Sequence, residues 1–409
     1  HDRPELFKGE SVPDDTEFLF DAFGYPSDWS RTRTAWIRRV WNAPALAEHR
    51  RRVLLFEGLM PRSAVFIDGR MVATHLHPSL PLEVDVTEFL GEGNHELAVS
   101  IEDYERDARG RSMTPTGNWI PIAHCGIWQD VYVVERGDVY LSDVIIRTSV
   151  RNRTLNLRFE LTNATSVDRD VWVLPDVRSW LRGVDPERAP IQLFMKEFQA
   201  HVPANGRAVR EIGVDWPDAR WWSPESPALY TLRTAILDRG VVSDVSHERF
   251  GFREVWLDGP RLMLNDYPLH LFSDWGHKLT PYYYTEAWIR KWFGMIRDCN
   301  MNHSRLHTHP HPRLILDLAD EEGILITGET GIHGSSGDLA GDEPAFWAAA
   351  RDHIRRFVRR DKNRPSVIMW SVENEVRWLS TETRMKYEEL PALRRLFNEL
   401  DATRAASHQ

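Results

Sequence analysis

An asparagine and a glutamate at the end of a short apolar run are the residues of this sequence best placed for chemistry. The run covers 365–373 and leads into Asn374 and Glu375. It is too short for a helix and is typical of a buried parallel strand that ends at the rim of a sheet. In a (β/α) barrel, residues just past the carboxyl ends of the strands face the reaction pocket. A glutamate there, beside an amide that can hold a sugar hydroxyl, suits general acid catalysis at a glycosidic bond.

The same pair has a simpler interpretation, in which Glu375 starts a polar loop and Asn374 is a turn residue or a helix cap. The preceding segments favour the catalytic interpretation. An apolar stripe predicts a helix over 344–360, and 361–365 ends that helix and starts the strand. The resulting order along the chain is helix, loop, strand and carboxylate.

The elements after residue 257 alternate between strand and helix. Strands are predicted at 269–272, 301–306, 323–328 and 365–370, and helices at 286–299, 312–322, 344–360 and 383–400. This succession predicts a parallel sheet, with a (β/α) barrel as the leading candidate. A complete barrel needs ~250 residues and only about 150 follow residue 257, so four strand–helix units fit. We therefore expect 257–409 to be an incomplete barrel at the front of a longer protein, unless the fold is not a closed barrel.

The first 256 residues show a different pattern, with many short strands and turn signals. Residues 1–136 carry almost no helical periodicity, which predicts a β-sandwich of the jelly-roll kind. Residues 137–256 alternate with period two in longer strands, which predicts an immunoglobulin-like sandwich. The predicted fold class is therefore a multidomain protein of β and α/β type.

Composition limits the class of partner. The chain has 409 residues, 42% of them hydrophobic and 27% charged, which predicts a soluble globular protein of two or three domains. Its net charge of −10 argues against nucleic acid or an anionic membrane as the main partner. The two cysteines, Cys125 and Cys299, are too few for a disulfide framework or a zinc quartet.

The location of the protein is open from the sequence. No apolar run is long enough to span a membrane, and no secretion signal is present. The chain begins with His1 rather than Met, which leaves room for a removed leader and favours periplasm or secretion over cytoplasm. A homo-oligomer is compatible with the sequence, and nothing in it predicts a cofactor.

Three features, carried by four segments in the correct order, resemble glycoside hydrolase family 2, the group of β-galactosidases, β-glucuronidases and β-mannosidases. The segment 126–132 resembles the end of that family's sugar-binding domain. The segments 222–230 and 250–254 resemble the close of its immunoglobulin-like domain, and 370–375 resembles its acid/base motif. The resemblance covers nearly the whole chain. It implies a retaining exo-β-glycosidase that acts on terminal β-linked sugars of oligosaccharides or glycoconjugates.

The resemblance also implies roles for single residues. Glu375 matches the family's general acid/base, and Asn374 matches the amide that binds the sugar 2-hydroxyl. Arg305, at the end of the second barrel strand, matches an arginine that supports the nucleophile, although a surface salt bridge would also explain it. His277 lies where the family places a histidine after the first barrel strand, and Glu329 follows the third strand where an acidic residue is usual.

Two loops depart from the family pattern and leave open a substrate other than the familiar galactoside. The segment 271–277, which includes Asp274, lacks the family's usual Arg-Gly-x-Asn pattern. The segment 305–311 carries three histidines, with His309 in the middle, where the family more often has one histidine and a tyrosine. We take Asp274 and His309 as candidate substrate-binding residues. The alternating histidines also resemble a metal cluster, but no paired Cys or Glu-x-x-His helix supports a zinc site.

The nucleophile is missing from the sequence. A retaining mechanism needs a second carboxylate ~5–5.5 Å from the acid/base, and we expect it beyond Gln409. Glu373 occupies a position that the family usually gives to Gly, and strand alternation predicts it on the same side as Glu375. We expect a structural role for Glu373.

Two other classes of function remain open from the sequence. One is a non-catalytic carbohydrate-binding or scaffold protein, with the Trp-rich segments 116–119 and 220–222 as its working surface. The other is a metal-dependent hydrolase that uses His307, His309 and His311.

Overall fold

The computed structural model describes residues 34–60, 62–102, 111–115, 126–276, 285–334, 339–376 and 385–408. Its first part contains short antiparallel strands in two main sheets, ordered β1-β7-β4-β5 and β6-β2-β9. Their side chains alternate, and the inward rows enclose a core that includes Phe56, Val65 and Val99. The strands are β1 (Thr34–Ala43), β2 (Arg50–Phe56), β3 (Leu59–Met60), β4 (Arg62–Ile67), β5 (Arg70–His75), β6 (Leu82–Asp85), β7 (Gly93–Glu102), β8 (Gly126–Ile127) and β9 (Val131–Gly137).

The second part is also made of antiparallel strands, in sheets β10-β11-β15 and β13-β12-β18-β19, with β14 paired to β12. In β11 the apolar residues alternate with polar ones, so Leu155, Leu157, Phe159 and Leu161 all lie in the interior. The strands are β10 (Val139–Ser149), β11 (Thr154–Asn163), β12 (Arg169–Ser179), β13 (Ile191–Phe194), β14 (Phe198–Val202), β15 (Arg207–Asp215), β16 (Trp222–Ser223), β17 (Ser226–Pro227), β18 (Tyr230–Asp238) and β19 (Val241–Phe250).

The third part changes to parallel strands and helices. After a small antiparallel sheet of β20, β21 and β22, five parallel strands follow one another in chain order from β23 to β27. The strands are β20 (Val255–Asp258), β21 (Arg261–Leu264), β22 (Tyr267–Pro268), β23 (Ser273–Gly276), β24 (His303–Leu306), β25 (Leu325–Glu329), β26 (Val367–Ser371) and β27 (Ala405–Ser407). The helices are α1 (Glu286–Asp298), α2 (Arg313–Glu322), α3 (Pro344–Asp361) and α4 (Leu390–Leu400), and a π-helical turn (Met385–Glu389) precedes α4.

The helix boundaries follow local chemistry. The Thr285 hydroxyl accepts a hydrogen bond from the Trp288 amide and begins α1, and Pro344 occupies the first turn of α3. Helix α2 ends at Gly323, whose φ of 71° is left-handed. A Cβ at Gly323 would lie 2.2 Å from the Pro224 carbonyl oxygen. Glycine is therefore required there both for the turn and for contact with the second part.

Two sequence predictions need correction. The first parallel strand is Ser273–Gly276, four residues later than the predicted 269–272. A fifth parallel strand, Ala405–Ser407, pairs with β26, whereas the sequence predicts four strand–helix units. The predicted multidomain organisation of β parts followed by an α/β part is confirmed. No helix among the described residues is long and apolar enough to cross a membrane.

Asn363, in the loop between α3 and β26, joins the second and third parts. Its Oδ1 accepts from the Ile146 amide at 3.0 Å, and its Nδ2 donates to the Val144 carbonyl at 3.0 Å and to Glu248 at 2.9 Å. All three partners belong to the second part. The Asn363 amide therefore provides hydrogen-bond partners for two backbone groups at the edge of β10, which are buried against the α/β part.

An Asn363→Ala variant should lose about 2 kcal/mol of unfolding free energy, because two buried backbone groups lose their partners. Asn156→Ala is the matched control, since Asn156 is exposed and, within the described part of the chain, its side chain hydrogen-bonds only Thr154, two residues away. We expect it to stay within about 0.5 kcal/mol of the parent. Chemical denaturation followed by fluorescence measures both. Equal losses in the two variants would contradict this assignment.

Candidate active site

The parallel register sorts the side chains of the sheet onto two faces. Arg305 pairs with Thr327 and Glu329 pairs with Ser371. Because alternate residues of a strand share a face, these four side chains lie on one face. The opposite face carries residues such as Trp370, which packs against Phe357 and Phe397. That face is covered by helices, so the polar face is the concave side of the sheet.

Arg305 and Glu329 form the centre of this face. The Arg305 Nε lies 2.8 Å from Glu329 Oε2, and its Nη2 lies 3.0 Å from Oε1, which makes a bidentate pair. The same Nη2 donates to Asn374 Oδ1. Because a guanidinium has donors only, Asn374 must turn its carbonyl toward Arg305. Its Nδ2 donors are thereby directed away from Arg305.

Glu329 is completely buried, and its carboxylate is surrounded by hydrogen-bond donors. Besides Arg305, the Thr308 amide donates to Oε1 at 2.7 Å and the Ser371 hydroxyl donates to Oε2 at 2.7 Å. Burial raises the pKa of Glu329, while the Arg305 charge and these hydrogen bonds oppose the rise. Four donors to two oxygens favour the ionised carboxylate, which acts as an anchor for Arg305.

Glu375 lies beside this network. Its φ of 61° is in the left-handed region, so the chain turns sharply after Asn374. Its Oε2 is 3.3 Å from His333 Nε2, and 49% of the side chain is exposed. Residues His333 and Asn374 pair as a short parallel bridge. The bridge places a half-exposed carboxyl group at the end of the sheet, where a solvent-borne molecule can reach it.

Glu373 lies on a different side from Glu375, which corrects the prediction from strand alternation. The strand ends at Ser371, and the left-handed turn at Glu375 breaks the alternation. Glu373 is fully buried, its Oε2 accepts from the Val376 amide at 2.7 Å, and its Oε1 lies 3.7 Å from His408. Glu373 thus stabilises the turn that carries Glu375.

His333 is a site residue that the sequence reasoning does not identify. It is fully buried and belongs to the loop after β25. Burial, assisted by the Arg305 charge, lowers the pKa of His333 to about 4, so its imidazole is neutral near pH 7. The feature of the sequence that marks His333 as a candidate is its position four residues past Glu329, just beyond the carboxyl end of a parallel strand.

Asp274 does not lie on the concave face, which corrects its assignment as a substrate-binding residue. It pairs in register with Ser304, one residue out of phase with Arg305. Its Oδ1 accepts from the Ser304 hydroxyl at 2.7 Å, and its Oδ2 accepts from Trp292 Nε1 of α1 at 2.8 Å. Asp274 therefore connects the sheet to its helical layer. Trp275, the next residue, lies in phase with Arg305.

The remaining predicted site residues fall outside this network or outside the described chain. His277 lies outside the described residues. His309 is buried in the loop after β24, and its ring stacks on His311 with centroids 4.0 Å apart. His307 packs edge-on against Trp275. Among the described residues, no group of three His, Cys, Asp or Glu side chains has the arrangement of a metal site.

The Trp-rich segments predicted as a binding surface are only partly described. Segment 116–119 lies outside the described residues. Trp222 is fully buried and donates through Nε1 to the Asp320 carbonyl at 2.8 Å, whereas Trp221 is 38% exposed. The buried indole is therefore a core residue between two parts of the protein, which corrects its assignment to a working surface.

Comparison with known protein families identifies the family to which this chain belongs. Residues 139–253 match the family described as glycosyl hydrolases family 2, and residues 275–409 match its TIM barrel domain. The chain belongs to glycoside hydrolase family 2. The two matches follow one another along the chain and together cover more than half of the sequence. The second match contains Arg305, Glu329, Asn374 and Glu375.

The relatives of this chain include proteins named beta-galactosidase and proteins named beta-glucuronidase. The chain is 26% identical over 356 residues to a beta-galactosidase of Clostridium acetobutylicum, which covers 80% of this chain and 36% of that protein. It is 24% identical over 376 residues to a beta-glucuronidase of Streptococcus agalactiae, covering 83% of this chain and 58% of that protein. The chain thus spans from about a third to somewhat over half of the length of these relatives.

Solved structures share the fold. A family 2 beta-galacturonidase from Eisenbergiella tayi, bound to galacturonate, superposes with a TM-score of 0.77 at 22% identity, over 94% of this chain and 65% of that one. A beta-glucuronidase from Bacteroides uniformis superposes with a TM-score of 0.75 at 21% identity, over 92% of this chain and 46% of that one. At these identities the likeness establishes the fold alone.

Proposed function

We propose that this chain is part of a retaining exo-β-glycosidase in which Glu375 is the general acid/base. The observation that carries the proposal is the placement of Glu375 directly after Asn374, which Arg305 and the buried Glu329 hold in one orientation. A half-exposed carboxyl beside a fixed amide can protonate a departing sugar oxygen and then activate the incoming water. Family membership and the names of the relatives support a β-glycosidase.

Asn374 is proposed to bind the substrate hydroxyl next to the reacting carbon. Its carbonyl accepts from Arg305, so its two N–H donors are available to a sugar. A bond from this amide to the 2-hydroxyl would strengthen as charge develops in the transition state. Arg305 is proposed to fix this geometry and to support the nucleophile, with Glu329 as its anchor. His309 and His277 remain proposed substrate contacts.

The second carboxylate of the mechanism is proposed to come from a part of the protein beyond Gln409. Glu329 has two oxygens that already accept four hydrogen bonds, and Glu373 is buried as a turn cap. Neither presents a carboxylate oxygen to a sugar on the concave face. The relatives are longer than this chain, and a later strand of the proposed barrel would provide the missing group.

The proposal extends to the fold of each of the three parts of the chain. We assign 1–136 to a jelly-roll sugar-binding-like domain, 137–256 to an immunoglobulin-like sandwich, and 257–409 to the front of a (β/α)₈ barrel. Two antiparallel sheets in each of the first two parts support the sandwiches. Five parallel strands in sequential order support the barrel.

The proposed function is tested with the full-length protein and a panel of nitrophenyl β-glycosides. The panel contains the galactoside, glucuronide, galacturonide and mannoside, because the relatives and the family include enzymes for neutral and acidic sugars. We expect turnover of at least one β-glycoside and none of the matching α-glycosides. No turnover of any β-glycoside, combined with measurable sugar binding, would instead favour the carbohydrate-binding alternative.

A further inference from the structure

His353, a residue of α3, contacts the loop that carries His333. It lies in the middle of α3 and is 1% exposed. The Gly331 amide donates toward its Nε2 at 3.4 Å. Gly331 is two residues before His333, whose Nε2 contacts Glu375. The ring of His353 therefore holds the backbone at the base of the loop beside the acid/base.

This loop is bonded to the backbone around Glu375 at two points. The Asn374 amide donates to the Ile332 carbonyl at 2.9 Å, and the Gly334 amide donates to the Asn374 carbonyl at 3.0 Å. A Cβ at Gly334 would lie 2.6 Å from the Val376 Cα, so the two segments are in close contact. A shift of the loop must therefore move the peptide that carries Glu375.

The first part of the protein packs against His353 from the other side. His77, in the loop after β5, lies with its ring 5.9 Å from that of His353. Its Nε2 is 2.7 Å from Asp352 Oδ2, and Asp352 also accepts from Arg356 Nε at 2.7 Å. Burial keeps the pKa of His353 well below its usual range. The ring is therefore neutral near pH 7 and its Nε2 can accept a hydrogen bond.

We propose that His353 is a positioning residue for Glu375, acting through Gly331 and the 331–334 loop. The inference rests on the proposed acid/base role of Glu375. His353 is buried in α3 and does not belong to the concave face, so its effect should appear in proton donation rather than in substrate affinity. Loss of the acceptor would release the Gly331 amide and widen the range of positions that Glu375 occupies.

The kinetic test compares His353→Met, which removes the acceptor at similar volume, with His353→Gln, which retains one. The readout is kcat/KM, which covers the steps up to cleavage of the glycosidic bond, for a methyl glycoside and a 2,4-dinitrophenyl glycoside. Only the first leaving group needs protonation. We expect His353→Met to lose about tenfold or more on the methyl glycoside and less than about threefold on the dinitrophenyl one. His353→Gln should stay within about threefold on both.

Equal losses on both substrates, or no loss, would overturn the proposal, because a merely structural role lowers both rates together. His201→Leu is the matched control, since His201 is an exposed histidine of β14. It should change neither rate.

A second measurement does not depend on activity. Hydrogen–deuterium exchange of the full-length protein should show faster exchange at amides 331–334 in His353→Met than in the parent, with His353→Gln close to the parent. Unchanged exchange in His353→Met would overturn the proposal even if every glycoside were hydrolysed. If the parent hydrolyses no glycoside, the proposed function fails, and exchange still decides whether His353 holds the loop.

Discussion

A Glu375→Gln variant of the full-length protein should lose about 10³-fold of its kcat/KM for methyl and oligosaccharide β-glycosides. The amide is nearly isosteric with the carboxylic acid and can keep its place 3.3 Å from His333. It has no acidic proton to give to the leaving oxygen. Because general acid catalysis contributes roughly 10²–10⁴-fold, the loss should be of that order.

The control for this prediction is Glu211→Gln, a substitution of the same type at an exposed position on β15. It should leave kcat/KM within about twofold of the parent, since surface changes of this kind are nearly neutral. A Glu375→Gln variant that retained activity on methyl glycosides would contradict the acid/base assignment. So would a loss matched by the Glu211 control.

An Arg305→Met variant should lose both activity and stability. Loss of the guanidinium leaves Glu329 buried, with the Thr308 amide and the Ser371 hydroxyl as its remaining donors among the described residues. Removing one partner of a buried ion pair costs about 3–5 kcal/mol of unfolding free energy. We expect about 3 kcal/mol for this pair, because 17% of the Arg305 side chain is exposed. Asn374 also loses the donor that fixes its amide, and kcat/KM should fall about 10²-fold. Chemical denaturation and methyl-glycoside kinetics measure the two effects.

The double variant Arg305→Met with Glu329→Gln separates these effects. Neutralising Glu329 removes the unpaired buried charge, so most of the lost unfolding free energy should return. Activity should stay low, because nothing then orients Asn374. Recovery of activity together with stability would show that Arg305 serves the fold alone. An Arg305→Met variant as stable as the parent would contradict the pairing with Glu329.

The elements that can be predicted from the sequence are those with clear periodicity. Helices α1 and α3 begin at the predicted Glu286 and Pro344, because capping and proline signals mark their first turns. The predicted first parallel strand is too early, because the segment 269–272 has three apolar residues out of four, whereas the true strand Ser273–Gly276 begins with two polar residues. The strand Ala405–Ser407 has only three residues and no pattern of its own.

The centre of the candidate site can be predicted because its residues follow strands. Arg305, Glu329 and Asn374 are all near the carboxyl ends of β24, β25 and β26, and these ends meet at one edge of a parallel sheet. The role of His333 cannot be predicted, since it depends on a loop bridge and on a residue with positive φ. The prediction for Asp274 is wrong for a related reason. A shift of one residue in strand phase moves a side chain to the opposite face.

The most direct test of the central assignment is the configuration of the product that Glu375→Ala forms from a 2,4-dinitrophenyl β-glycoside in the presence of azide. This substrate needs no acid for cleavage, and azide needs no base to attack the glycosyl-enzyme. If Glu375 is the acid/base, azide should restore turnover and give the β-glycosyl azide, with retained configuration. An α-glycosyl azide would identify Glu375 as the nucleophile and contradict its role as the acid/base.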